Sequence, residues 1–421
     1  MTSTTILTVL LVFSFLVGRF LRGFQTPNFV FSGMIYLFFG LLLGSHLGLN
    51  ILTEDLLYQL KPLTSLLTGI AGFLLGLRTR ILFKNKKIFF TGVSTALVVY
   101  ASIGVIFFFI ADFAVSFSST NPLNTWRLFH LEFKPSFDPN LIWFCLGVSA
   151  TACSASLLNL GADSRFKKES SEITRVLSLL APSVQVFAVT LLGLCLASAK
   201  SSLSAEGLHI SITHWVLATI FSGMLCGLIF SLFIGKQSDT NRVLLAALGV
   251  IIFASGVGVI LGVSSMFVGF IAGTIISIFS SYHKVLKKSL IRLEEPIFVL
   301  LLILGGATWQ PELNRAWIFP AAYFLLRAGI FSIFSQKIYY AFTKRSLSRL
   351  GQGLLGQDLV AVAIAMSLSH QFPKLAQLFL TTILGSIFLN DFIANSLLKK
   401  VILDNEQAIK IQPIESEEGA T

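Results

Sequence analysis

The residues of this sequence that are best suited to chemistry are polar side chains isolated inside long apolar runs. Arg327 lies ten residues after Trp317, within the apolar run 317–341. Along a helix this distance is about 15 Å, which is near the middle of a bilayer. A guanidinium at that depth is costly and marks an ion or substrate pathway by default, whereas an arginine that reaches out to an interface lies nearer the end of a span. We therefore expect Arg327 to lie at a functional site.

Small and hydroxyl side chains are concentrated in the run 141–161. Thr151, Ala152 and Ser154 lie near its middle. Such residues let helices pack closely in membranes, while hydroxyl groups and unwound backbone also ligate ions and substrates. Taken alone, the run favours close packing, and a transport site is the alternative.

A second polar group lies in the next apolar run and consists of Pro182, Ser183 and Gln185. Proline frees a backbone carbonyl group, which a neighbouring side chain or water must satisfy. No Asp or Glu occurs between Glu172 and Glu206. This run therefore supplies hydrogen-bonding groups and no titratable carboxylate.

The last two apolar runs carry amides and carboxylates. Gln357 and Asp358 follow three closely spaced glycines, a pattern that predicts a kinked or broken helix. Asp391 lies eight residues before Lys399, about 12 Å from the end of its span. Either aspartate is a candidate for ion binding or for a structural pair with a basic residue. For Arg327, the candidate partners are these aspartates, carbonyl groups of broken helices, water or a bound anion.

The cysteines and histidines suggest no metal site. All four cysteines lie in apolar runs, where they resemble small buried hydrophobes, and the six histidines lie in loops or at the ends of runs. No Ser-His-Asp set and no phosphate-binding loop appears in the sequence. We expect neither enzymatic activity nor a cofactor.

Membrane-spanning helices must position these residues. Of the 421 residues, 54% are hydrophobic and 12% are charged, against about a quarter charged in soluble domains. Segments 88–111 and 243–282 carry no charge, and the second is long enough for two spans joined by a tight turn near 262–265. The sequence predicts an all-α integral membrane protein of about thirteen transmembrane helices. The predicted spans are 6–22, 28–48, 57–77, 88–111, 141–161, 174–197, 211–234, 243–262, 265–282, 293–309, 317–341, 353–370 and 375–398.

The basic residues predict the orientation of these helices. A net charge of +11 invites nucleic-acid binding, but the Lys and Arg residues lie in short connections between apolar runs. Of the 31, 24 fall on one side of the predicted topology, six on the other, and Arg327 lies within a span. Because positive residues are retained in the cytoplasm, we expect the N-terminus outside and the C-terminus inside the cell (inner) membrane, with lipid and no nucleic acid as partner. Residues 1–400 form the predicted transmembrane domain, and 401–421 a short disordered cytoplasmic tail.

The polar features recur in the same order in two parts of the chain. Spans four to six contain the small, polar run and the proline-containing run, and spans eleven to thirteen contain Arg327, the glycine-rich run and Asp391. Two three-helix groups of opposite orientation bring such features together at the middle of the membrane. This is the organisation of an inverted-repeat transporter with two broken crossing helices.

Several short stretches resemble the monovalent cation/proton antiporter superfamily, especially its bacterial sodium/proton exchanger and potassium-efflux branches. The resemblance covers residues 6–398 and rests on the joint order of its motifs. The matching stretches are 39–44 (FGLLLG), 72–77 (GFLLGL), 267–273 (FVGFIAG) and 356–358 (GQD).

The resemblance places Thr151 and Ala152 at the unwound crossing of the first broken helix, and Gln357 and Asp358 near the second. It matches Arg327 to a basic residue that steadies the ion site of the family. It also implies a homodimer and alternating access. The chain departs from the family in two places, because Arg78 stands where the family has Glu, and the ion-binding Asp of the sixth span is missing.

Exchange of a cation for a proton needs a group that titrates, and Ser or Gln at the missing position cannot do this. We therefore expect an antiporter-like membrane protein for sodium or potassium ions and protons, with altered or lost coupling. Two alternatives are a non-transporting regulatory or partner membrane protein, and an anion or neutral-solute carrier in which Arg327 attracts negative charge.

Overall fold

The computed structural model describes residues 33–45, 49–119, 139–155, 172–203, 211–234, 240–311, 317–357 and 359–411. These parts of the chain form fourteen α-helices, three short 3₁₀-helices and no β-strand. The helices are α1 (Met34–Leu43), α2 (Glu54–Gln59), α3 (Lys61–Lys84), α4 (Lys86–Ser119), α5 (Pro139–Ala152), α6 (Glu172–Leu203), α7 (Ile212–Ile234), α8 (Thr240–Leu261), α9 (Ser265–Phe279), α10 (His283–Leu290), α11 (Glu294–Thr308), α12 (Ile318–Thr343), α13 (Leu359–Gln371) and α14 (Ala376–Ile411).

The helices confirm the predicted class of an all-α, multi-pass membrane protein. Six of those described, α3, α4, α6, α7, α8 and α12, are long and apolar enough to cross a membrane. Shorter apolar helices are found in α1, α5, α9 and α13. Every predicted span from the second to the thirteenth overlaps at least one described α-helix, and the first, 6–22, lies outside the described residues.

Several helix boundaries differ from the prediction. α13 begins at Leu359 rather than 353, because a 3₁₀-helix and an irregular segment precede it. A short helix, α10, occupies a connection for which no helix was predicted, with Leu286 and Leu290 buried on one face. α14 continues to Ile411. The predicted disordered tail is therefore helical over its first eleven residues, since Val401 and Ile402 are fully buried.

The tight turn predicted near 262–265 joins α8 to α9. Gly262 has a φ of +62°, a left-handed conformation that glycine adopts without steric cost. The Ser264 hydroxyl then accepts a hydrogen bond of 3.2 Å from the Phe267 amide and caps the start of α9.

Glycines bring α3 and α9 into backbone contact. A Cβ atom on Gly72 or Gly76 of α3 would overlap the backbone of Met266 or Phe270 in α9. In the other direction, a Cβ atom on Gly273 would overlap the backbone of Phe73. Small residues on both faces give the two helices their packing energy in a membrane, where hydrophobic burial between helices contributes little.

A second group of helices surrounds the segments that interrupt regular structure. α4 packs against α5, α6 and α12, and α12 packs against α14. α13 and α14 also pack against each other and against α5. These helices hold the end of α5 and the segment before α13 close to Arg327.

Ion pairs join segments that the charge pattern placed on the same side of the membrane. Arg78 at the end of α3 pairs with Glu294 at the start of α11, at 2.5 Å. Arg345 pairs with Glu172, and Arg349 pairs with Asp404. The helical connectivity is thus consistent with the predicted alternation of the spans.

Candidate functional site

Two interruptions of helical structure meet inside the protein. The first break is the end of α5, where the chain leaves the helix at Cys153 and continues through Ser154 to Ala155. The second break is 355–357, between the 3₁₀-helix Leu350–Leu354 and α13. A Cβ atom on Gly351 would overlap the Phe331 carbonyl group, so glycine lets this segment lie directly against α12.

Arg327 bridges the two breaks. Its side chain is buried, with 2% of the residue exposed, and it donates hydrogen bonds to main-chain carbonyl groups of both segments. A planar guanidinium offers five donors in a fixed fork, so one side chain can satisfy carbonyl groups that two interrupted helices leave without partners. The acceptors are the carbonyl oxygens of Ala152 (2.9 Å from Nε) and Ser154 in the first break, and of Leu354 (3.2 Å), Leu355 and Gly356 (3.3 Å) at the second.

One face of α12 carries this arginine. Tyr323, Arg327, Phe331 and Ser335 are spaced four residues apart and are all buried. The guanidinium carbon lies 5.1 Å from the centre of the Phe331 ring, within the range of a cation–π contact. The Phe331 ring, one helical turn further along α12, therefore helps to fix the orientation of the Arg327 side chain.

A network of amides and hydroxyls holds the second break. The Gln357 amide donates to the Tyr323 hydroxyl at 2.9 Å, and the Ser386 hydroxyl donates to the Gln357 oxygen at 3.2 Å. The Asn390 amide donates to the Leu355 carbonyl oxygen at 2.6 Å. That carbonyl group accepts from both Arg327 and Asn390, so α12 and α14 hold the same peptide unit.

The predicted residues of α6 divide into two groups. The Gln185 amide donates to the Ala155 carbonyl oxygen at 2.6 Å and thus joins the first break. The Ser183 hydroxyl donates to Leu179 within its own helix at 2.7 Å, and Ser183 packs against Gly92 of α4. Pro182 lies inside α6, which continues as a helix through it.

In α5 the side chains of the predicted residues are not the groups that contact the arginine. The Thr151 hydroxyl donates to the Gly147 carbonyl oxygen at 2.8 Å, and the Ser154 hydroxyl donates to the Thr151 carbonyl oxygen at 2.7 Å. The contribution of Ala152 and Ser154 to the site is their main-chain carbonyl groups.

Of the two predicted aspartates, Asp358 lies outside the described residues, between Gln357 and Leu359. Asp391 follows Asn390 in α14, and its side chain is outside the described atoms. Within the parts of the chain that the structure describes, no group of three or more His, Cys, Asp or Glu residues could hold a metal ion.

Sequence reasoning did not include Tyr323, Ser386 and Asn390 among the site residues. A signal existed in α14, because Thr382, Ser386 and Asn390 recur every four residues and so share one face of the helix. All three are buried. A polar stripe inside an apolar helix is the pattern that would have found them.

No family model matches the chain, and no curated protein matches its sequence. Among solved structures, the chain is similar to the sodium/proton antiporter MjNhaP1 from Methanocaldococcus jannaschii, determined at pH 8. The TM-score is 0.57 at 17% sequence identity, over 96% of this chain and 98% of that chain. The chain therefore has the fold of a sodium/proton antiporter over nearly its whole length, in agreement with the resemblance seen in the sequence.

Proposed function

We propose that the chain is a secondary transporter of the cation/proton antiporter fold in which the Arg327 guanidinium acts as a tethered cation at the central site. Exchange of sodium or potassium ions for protons is then reduced or lost. The observation that carries the proposal is the set of hydrogen bonds from Arg327 to both breaks. Carbonyl groups of unwound helices are the ligands that bind cations in such transporters. Here an internal cation already uses them.

The composition of α6 supports the same conclusion. Gln185 contributes an amide to the first break and Ser183 a hydroxyl that bonds within its own helix. Neither group ionises in the physiological range, and no Asp or Glu occurs between Glu172 and Glu206. A carrier that alternates between a cation and a proton needs a carboxylate or an equivalent group at this point. Asp358 and Asp391 are the acids that could take over this role.

The test is an ion-flux assay in liposomes with sodium, potassium and lithium gradients. We expect little proton-coupled exchange from the native protein and from the Ser183→Ala control. Gln185→Glu is the matched gain-of-function variant, since it introduces a carboxylate at an α6 side chain that contacts the first break. Robust native sodium/proton or potassium/proton exchange would contradict the proposal. Chloride-dependent flux that disappears in Arg327→Ala would favour the anion carrier, and a silent but folded protein would favour the regulatory membrane protein.

The two aspartates have their own variants in the same assay. If Asp358 or Asp391 supplies residual coupling, replacement by Asn removes the pH dependence of any flux, because the amide cannot titrate. An unchanged flux and an unchanged pH profile in both variants assign the aspartates a structural role.

We further propose that the protein is a homodimer in the cell (inner) membrane, with the N-terminus outside and the C-terminus in the cytoplasm. The support is the distribution of 24 basic residues against six and the antiporter fold. No enzymatic activity is included in the proposal.

A further inference from the structure

Basic side chains converge where the end of α3 meets α10. Nη1 of Arg80 lies 2.9 Å from Nδ1 of His283, and it donates a hydrogen bond of 3.4 Å to the Ser277 carbonyl oxygen. Lys84 is exposed one turn beyond Arg80, and Lys284 is exposed next to His283. We call Arg80, Lys84, His283 and Lys284 the basic cluster.

The charges of the basic cluster act on one another. Burial lowers the pKa of His283, and the charges of Arg80, Lys284 and Lys84 lower it further, against the opposing effect of the Ser280 carbonyl group. Like charges that are packed together cost free energy, which an anion between them recovers. Arg80 and His283 are about two hundred residues apart in the chain, so the basic cluster exists only in the folded protein.

The carboxylate beside this cluster is already engaged. Glu294 at the start of α11 pairs with Arg78 at 2.5 Å. Lys287 of α10 lies near the same arginine, and burial together with the charge of Arg78 lowers the pKa of Lys287. Even with Glu295 of α11 counted, the cations in this region outnumber the acids. The excess positive charge is suited to an anion from outside the chain.

The apolar surface next to the basic cluster indicates which anion this is. Ile81 and Phe83 on α3 and Ile278 and Phe279 on α9 are exposed, Phe279 to 65%. Ile81 follows Arg80, and Ile278 follows Ser277, so these apolar side chains lie within one helical turn of the contact between Arg80 and Ser277. A juxtamembrane group of Lys and Arg residues next to exposed apolar side chains has the chemistry of a lipid headgroup site rather than a site for free phosphate.

We propose that the basic cluster binds the phosphate headgroup of an anionic phospholipid, with the acyl chains along the exposed side chains of α3 and α9. The bound headgroup joins α3 to α10 by accepting hydrogen bonds from both helices. It thereby stabilises the end of the molecule where α3, α9 and α11 meet.

The test measures thermal unfolding of the full chain in nanodiscs of phosphatidylglycerol or phosphatidylcholine, with retained lipids counted by native mass spectrometry. A ligand that binds the folded state raises the unfolding midpoint. We expect the native protein to have a higher midpoint in phosphatidylglycerol, with a difference that shrinks as salt is added. The double variant Lys84→Gln, Lys284→Gln should bind the anionic lipid about thirty-fold more weakly, from about 1 kcal/mol per basic residue near a charged surface.

The matched control is Lys337→Gln with Lys344→Gln, which removes two exposed lysines from the end of α12 and should leave the lipid effect unchanged. The double variant Lys84→Arg, Lys284→Arg keeps the positive charge and should keep the higher unfolding midpoint in phosphatidylglycerol. It therefore distinguishes a loss of charge from a general effect of substitution at these positions. Two results would overturn the proposal. One is an equal phosphatidylglycerol effect in the native protein and the Gln double variant. The other is a full effect from inorganic phosphate in phosphatidylcholine nanodiscs, which would identify a site for free phosphate.

Discussion

The shape of the Arg327 side chain matters as much as its charge. Carbonyl groups from residues 152 and 154 and from 354–356 surround one guanidinium, and the donors that reach them point in different directions. Lysine offers three donors on one nitrogen atom and cannot span both breaks. Because Arg327 is buried, a carbonyl group that loses its hydrogen bond to the guanidinium does not gain one from bulk water. Each hydrogen bond that is lost therefore carries a desolvation cost.

We therefore predict that Arg327→Lys destabilises the folded protein by at least ~2 kcal/mol, since hydrogen bonds from a charged donor are worth about 1.5–3 kcal/mol each. Thermal unfolding in detergent measures the change. The control is Arg345→Lys, an exposed arginine that contacts Glu172, for which we expect a change of at most about 0.5 kcal/mol. Equal midpoints for the native protein and Arg327→Lys would show that the bridge between the breaks contributes nothing to stability.

His283 gives a prediction about pH. Its pKa lies below the usual value of 6.5, because of burial and the charges of Arg80, Lys284 and Lys84. The unfolded chain therefore binds a proton at higher pH than the folded chain, and the stability of this region falls as the pH is lowered through about 6.5. Protonation also places a further positive charge beside Arg80.

Amide hydrogen exchange of α10, compared at about pH 7.5 and about pH 5.5, should show faster opening at the lower pH in phosphatidylcholine. His283→Gln should flatten that difference, whereas His214→Gln, at an exposed histidine at the start of α7, should preserve it. A pH effect of the same size in His283→Gln would assign it to other groups.

The helices of this protein were easier to predict than the site. Apolar runs bounded by charges predicted all six of the described helices that are long and apolar enough to cross a membrane, because the lipid requires a minimum apolar length of every crossing helix. Arg327 was found from its depth in such a run. The main-chain carbonyl groups that accept its hydrogen bonds were one of several candidate partners, since every residue has a carbonyl group and the sequence does not show which of them lacks a partner. Ser183 was predicted at the site from the polar group that it forms with Pro182 and Gln185 in an apolar run, and its hydroxyl instead bonds to the Leu179 carbonyl oxygen.

The glycines of α3 and α9 show a further limit of sequence reasoning. Both glycine-containing stretches were noticed, but nothing in either stretch reveals that they contact each other. The same applies to α10, whose two buried leucines are too few for a periodic signal. The extension of α14 depends on tertiary contacts, since Asn405 exchanges hydrogen bonds of 3.0 Å with the backbone of Ser348.

The backbone contact between α3 and α9 predicts an unequal response to alanine. At Gly72 a Cβ atom would overlap the Met266 backbone, so Gly72→Ala must push the two helices apart. We expect a loss of about 1–3 kcal/mol in the free energy of unfolding, as for other overpacked interiors. Gly256→Ala in α8 is the control, because no atom lies within 4 Å of a Cβ atom at that position. It should be neutral or slightly stabilising, given the higher helix propensity of alanine. Equal effects of the two variants would contradict the close contact.

For the whole molecule, orientation is the most direct test of the predicted topology. The asymmetry of 24 basic residues against six predicts a cytoplasmic C-terminus. A reporter that is active only in the cytoplasm, fused after Thr421, should therefore be active, and the same reporter at the N-terminus should be silent. The opposite pattern would mean that the orientation is inverted, and equal reporter activity at both termini would mean that the number of spans is even.

The contact between α3 and α9 also has a consequence for the synthesis of the protein. The Ser277 hydroxyl donates to the Leu77 carbonyl oxygen at 3.2 Å, across a separation of 200 residues. A ribosome that adds about 5–20 residues per second leaves α3 in the membrane for roughly 10–40 s before α9 emerges. The interval is longer for the ion pair of Arg78, because Glu294 is synthesised 216 residues later. During this interval the nascent chain presents the glycine face of α3 to lipid, and to any other helix with small residues, before its own partner exists.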